Sequence, residues 1–215
     1  MSKVYFTQYI DDLDKISKDA RAKIEAAEKT FADVKEKAGQ AIRQFPVGHD
    51  KRTRAEIDLR EATKNYSRSI LEIQAEAETK VKDTRSALVK HLEAWAEAKP
   101  EMVDNNAVTL LSSGALSAAD LVALANKNWN NPTMLKLIRA QAQKTNDRLS
   151  AALDINIRDF LSPTQRMRLF DDTATIIAKT YQTDTNIALK VGAVWDEQFY
   201  DSARSHMAAL EAFQM

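Results

Sequence analysis

Ala20, Ile24, Ala27, Phe31, Val34, Ala38, Ala41 and Phe45 are separated by alternating steps of four and three. That spacing keeps one apolar stripe of a helix facing a partner helix. Phe6, Ile10, Leu13 and Ile16 extend the stripe toward the N-terminus with a small phase slip. Between Thr7 and Phe45 there is no proline and the one glycine is Gly39, so the pattern predicts a single helix of roughly 55–60 Å. Pro46 and Gly48 of FPVGHD end it, and Asp50 is placed to cap the next helix. A second stripe, Leu59, Ala62, Tyr66, Ile70, Ile73, Ala77, Val81, Thr84, Leu88, His91 and Trp95, reaches Lys99 before Pro100. It predicts a helix of roughly 75 Å. The short connection makes the pair an antiparallel hairpin.

The middle of the chain is dense in helix stops and starts. Pro100 and Glu101 are expected to open a short helix that closes near Ser113, with Gly114 as its C-terminal cap. Ser117 to Asp120 reads as a capping box for a second short helix. Asn131 and Pro132 are the N-cap and first position of a third, expected to run toward Ile157 or Phe160. Ser162-Pro163 repeats the start signal. After it, Leu169, Thr173, Ile176, Thr180, Ile187, Val191, Trp195, Phe199, Ser202, His206, Leu210 and Phe213 keep helical spacing. They predict one helix of up to about 75 Å, or two broken near Thr183–Asn186. No strand-type alternation occurs. The expected fold is all-α: a long antiparallel coiled-coil hairpin over 1–99, a cluster of short helices over 100–162, and a long C-terminal helix over 163–215. That helix would complete a three-helix bundle or pack on a partner subunit.

Composition narrows what such a fold does. Aromatic residues make up 7% of the chain and charged residues 29%, as suits long solvated helices. Lys+Arg and Asp+Glu both number 31, so no overall field favours nucleic acid or an acidic membrane surface. The absence of cysteine excludes disulfides, thiol catalysis and Cys-based zinc sites. No signal-peptide core or membrane-span-length apolar run is present, and a soluble cytoplasmic protein is expected.

Chemistry has few places to reside. His49 falls in the hairpin tip, and His91 and His206 lie on the stripes; no HExxH or His-x-x-x-His spacing joins them. Glu72, Glu76 and Asp83 share one helical face, but no Glu-x-x-His of the di-metal bundles occurs. Nucleophile-elbow, P-loop and dinucleotide-binding glycine patterns are absent. No catalytic, metal or cofactor residue is assigned, and the chain reads as non-enzymatic. Binding is the remaining class. Lys51, Arg52 and Arg54 form a basic tip suited to phosphates or an acidic protein surface, though Asp50, Glu56 and Asp58 are interleaved with them. Arg166-Met167-Arg168 is a weaker version of the same pattern. Trp129, with Asn130, sits in the polar turn KNWNNP, either packed beneath it or offered to a partner. Phe31, Val34, Trp195 and Phe199 are candidates for an oligomer seam, because Ala-rich stripes on long helices must bury against something.

Gly114 before Leu116-Ser117, then Asp120-Leu121, Leu124-Ala125 and Asn131-Pro132-Thr133-Met134-Leu135, resembles a helical module of small proteins of tailed bacteriophages and prophages. The resemblance spans Gly114–Ile138. It implies a viral protein, either a virion or assembly component or a small factor acting on the host cell. Its place would then be the host cytoplasm or the virion. The expectation is a structural or interaction protein with protein partners and homo-oligomers. The alternative is an inhibitor or adaptor that captures a host protein or nucleic acid through the hairpin tip or the Trp129 turn. Nucleic acid is the less favoured ligand, and no membrane binding is expected at zero net charge.

Overall fold

The computed structural model describes residues 6–145, 147–182 and 185–211, with the side chains of 182–197 outside what is described. Among the described residues there are eight α-helices and no strand. They are α1 (Thr7–Gln44), α2 (Asp50–Ala96), α3 (Asn105–Ser113), α4 (Ala118–Lys127), α5 (Pro132–Ala142), α6 (Arg148–Leu161), α7 (Thr164–Gln182) and α8 (Thr185–Glu211). Two compact units form from them. One draws on residues 1–11, 84–173 and 198–215, the other on 12–83 and 174–197. The division cuts across the long helices.

The second unit holds most of the hairpin. The stripes set its antiparallel register: Asp19 meets Lys80 at 3.0 Å, Lys23 meets Glu76 at 2.8 Å, and Phe31 stacks on Tyr66 at 4.9 Å. The lysine hydrogen bonds hold the Asp19 and Glu76 carboxyls below their usual range. Ala20, Ile24 and Ala77 are buried along the seam. Closer to the tip, Phe31, Val34, Ala41, Leu59, Ala62, Tyr66 and Ile70 are only half-buried. At the tip, Gly48 takes a φ of 88°, a left-handed conformation that suits glycine. His49 takes the capping role expected of Asp50, its Nδ1 accepting the Lys51 N–H at 3.2 Å. Asp50 lies inside the first turn, where its charge suits the helix dipole. Farther along, the Gln74 side-chain amide donates to the Tyr181 carbonyl at 2.6 Å, so α7 packs on α2 of the same chain.

The first unit contains the short helices. Leu111, Leu121, Ala125, Met134, Leu135, Ile138, Leu153 and Ile157 form its core. Gly114 caps α3 with a φ of 70°. In the Ser117 box, the hydroxyl accepts from Asp120 N at 3.3 Å and the carboxylate accepts from Ser117 N at 2.9 Å. Asn131 caps α5, accepting the Met134 N–H at 3.1 Å, while its amide donates to the Met102 carbonyl at 2.7 Å. Asn131→Ala is therefore expected to cost about 1–2 kcal/mol in urea unfolding. Asn131→Asp keeps the cap, loses the donor to Met102, and should fall between the two.

Two further expectations are corrected. Pro100–Met102 forms only a 3-10 turn, and α3 starts later because the Asp104 carboxylate caps it by accepting from Asn106 and Ala107 N–H. The third short helix ends at Ala142; Asp147 then caps a separate α6, accepting from Leu149 N at 2.8 Å and Ser150 N at 3.0 Å. Of the two alternatives after Ser162 the structure has two helices, α7 ending at Gln182 and α8 starting at Thr185, and the Leu210 carbonyl of α8 accepts from Arg166 in the first turn of α7.

Candidate functional site

The basic tip divides into two kinds of residue. Arg52 is turned inward: its Nε donates to Glu56 at 2.9 Å, and its Nη1 lies 3.4 Å from the carbonyls of Ile42, in the last turn of α1, and of Phe45, just past its end. It ties the turn together. Lys51 lies over the Phe45 ring at 5.2 Å, and Phe45 stacks on His49 at 4.6 Å. Lys51 and Arg54 also line a groove of about 590 Å³ between α1 and α2. Its floor is Val34, Ala38, Ala41, Ala55 and Ala62, and Lys37, Asp58, Glu61 and Asn65 complete its walls. The Ala side chains let the two backbones approach while leaving space above the seam. Of the described residues between Glu25 and Ile73, only Ala38 and Ala55 are buried, so the apolar stripe of this part of the hairpin stays partly open to solvent.

The other sequence candidates separate. Trp129 is half-buried against the short-helix core, and Asn130 is half-buried beside it. Phe31 is half-buried in its stack on Tyr66, and Val34 belongs to the groove floor. Phe199 is half-buried in the other unit, edge-on to Tyr200 at 5.5 Å. The side chain of Trp195 lies outside the described residues, as does Phe213. Lys51, Arg54 and Val34 are thus brought to one place, while Trp129, Asn130 and Phe199 lie in the other unit.

A buried polar cluster in the first unit escaped the sequence reading. Arg166 is 2% exposed. Its guanidinium lies 5.4, 5.0 and 5.1 Å from the rings of Phe6, Trp95 and Phe160. It donates to the carbonyls of Phe160, at 2.8 Å, and of Leu210. Burial pulls its pKa down to about 10, against the nearby Glu211 carboxylate, which pulls the other way. Glu211 in turn accepts the N–H groups of Phe6 and Thr7, while burial pushes its carboxyl up. The signal was available: Arg166 shares a helical face with the apolar Phe170 and Ile177. Its surroundings are filled by protein groups, so its work is to join helix ends.

Next to this cluster, the Phe6 ring lies 5.0 Å from His91, and the Tyr9 hydroxyl is 3.0 Å from His91 Nδ1. Burial holds the imidazole below its usual 6.5. The unfolded chain therefore takes up the proton first as pH falls. The stability this group contributes is present above pH 6.5 and is lost as pH drops through its lower folded-state value. Glu211, with a raised pKa, acts in the opposite direction. His91→Gln is accordingly expected to flatten the fall in melting temperature below pH 6.5, compared with the wild type at matched pH.

Among the described residues, no group of three or more His, Asp or Glu side chains is placed to hold a metal ion. No described helix is long and apolar enough to cross a membrane. Comparison with family models, with curated proteins and with solved structures gives no match for this chain.

Proposed function

We propose that this chain is a non-enzymatic helical interaction protein, acting as a virion or assembly component of a tailed bacteriophage. The observation that carries the interaction reading is the thinly buried hairpin near its tip. Phe31, Val34, Leu59, Tyr66 and Ile70 are half-exposed there, beside an Ala-floored groove with charged walls. Apolar side chains on such a seam gain stability when another surface covers them. The viral setting rests on the resemblance around Gly114–Ile138.

The test is recovery of the tagged chain from its native cells, with and without nuclease, followed by mass spectrometry. The expected result is recovery of the chain itself with particle proteins, independent of nuclease. Recovery of one host enzyme that survives nuclease would replace the assembly role with that of an inhibitor or adaptor. Loss of every partner on nuclease treatment would point to nucleic acid instead.

A further inference from the structure

We propose that the groove near the hairpin tip is closed by the same groove of a second copy of this chain, with the two α2 helices antiparallel. The inference rests on the interaction-protein reading and names the partner of that site. Three observations carry it.

The first is which charges lack an oppositely charged partner. Elsewhere in this unit, Asp19, Lys23, Glu76 and Lys80 form a network, and Arg52 pairs with Glu56. Among the described residues, the groove charges Lys37, Lys51, Arg54, Asp58 and Glu61 make no ion pair, although they line one space.

The second is their order. Lys51, Arg54, Asp58 and Glu61 follow one another at steps of three and four, so they share one face of α2. The cations come first and the anions follow. A second copy related by a twofold axis level with Glu56 sets Lys51 against Glu61 and Arg54 against Asp58 in a single register. By symmetry each pairing is made twice. Glu56 is two residues from both Arg54 and Asp58, hence on the far side of the helix, where it is held by Arg52. No like charges then meet on the axis. A parallel arrangement would set cation against cation and anion against anion, which costs affinity.

The third is the floor. Ala38 and Ala55 are buried where α1 and α2 meet, while half-buried Ala41 and Ala62 leave room for close approach and Val34 supplies apolar area beside them. Ile57, 49% exposed, flanks the same face. Exposed ion pairs contribute little affinity; their role here is to fix direction and register while the apolar floor supplies the attraction.

The experiment is sedimentation velocity on the full chain over a range of concentrations, with far-UV circular dichroism of each variant to check that helix content is unchanged. The wild type is expected to dimerise. Glu61→Lys alone and Lys51→Glu alone each change two symmetry-related pairs and should weaken the dimer about tenfold. The double variant Lys51→Glu with Glu61→Lys should recover wild-type dimerisation, because each reversed end again meets its opposite on the partner. A wild type that stays monomeric throughout overturns the pairing, as does a dimer indifferent to the single reversals. A double variant as weak as the singles also overturns it. A monomeric chain that still recovers particle proteins from cells would remove the self-pairing and leave the interaction reading standing. A dimer that obeys the charge exchange while recovering no other protein supports the pairing and removes the wider assembly role.

Discussion

Arg166→Ala is expected to destabilise the chain by about 3–5 kcal/mol, in the range for removing one partner of a buried charged group. Two terms combine. The carbonyls of Phe160 and Leu210 lose their donor, and Glu211 loses the cation that offsets its burial. A space also opens among Phe6, Trp95 and Phe160, whose rings all lie within 5.4 Å of the guanidinium carbon, and an unfilled cavity adds its own cost. Arg166→Met restores much of the volume without the donors and should lose about half as much. Arg166→Lys keeps the charge but not the planar fork that reaches two carbonyls, so it should not recover the wild type. Urea unfolding followed by circular dichroism measures all three. A loss under about 0.5 kcal/mol for Arg166→Ala would show the cage to be incidental to stability.

Arg166 also shows where sequence reading stops. Beside Arg168 it looks like surface charge; only its phase with Phe170 and Ile177 marks it as inward. Long-range partners decide the matter: Phe6 and Leu210 are far from it in sequence and no local pattern joins them. The hairpin was legible for the opposite reason. Its information is periodic and repeated, so the stripes from Ala20 and from Leu59 each specify the facing side many times over.

The break between α7 and α8 was legible as an alternative, in the Thr183–Asn186 cluster, but the stripe did not decide it. Thr180 and Ile187 are one heptad apart, so the stripe reads the same for one helix as for two. The break before α6 was missed because Lys144 to Asp147 holds neither Pro nor Gly, although Asp147 followed by Ser150 was a readable cap. Pro100 misled in the other direction. Its ring fixes φ for a first turn, but Val103 is extended with ψ at 122° and the turn does not propagate. At the candidate site, the Arg52–Glu56 spacing already favoured an i,i+4 pair. The groove depends on how closely Ala38 and Ala55 bring two backbones together, and that is settled only by packing.

Leu135→Ala is expected to cost about 2–5 kcal/mol, whereas Leu137→Ala should change stability by less than about 1 kcal/mol. The two leucines are two positions apart in α5, so helix geometry points them about 160° apart. Leu135 is fully buried in the cluster with Leu121, Ile138, Leu153 and Ile157; Leu137 is 37% exposed. Because α5 is central to this cluster, with Met134, Leu135 and Ile138 all at 0% exposure, there is little room for neighbours to collapse into the space a missing side chain leaves. Helix propensity cannot produce the contrast, since the substitution is the same at both sites and alanine is the better helix former. Equal losses at 135 and 137 would mean that α5 is rotated about its axis from the orientation described. Matched urea curves for the two variants decide it, provided the slope with denaturant stays the same. The same pair also bears on function. Leu137 faces outward, so a variant that unfolds normally yet loses a partner recovered by the wild type would place a partner surface on α5.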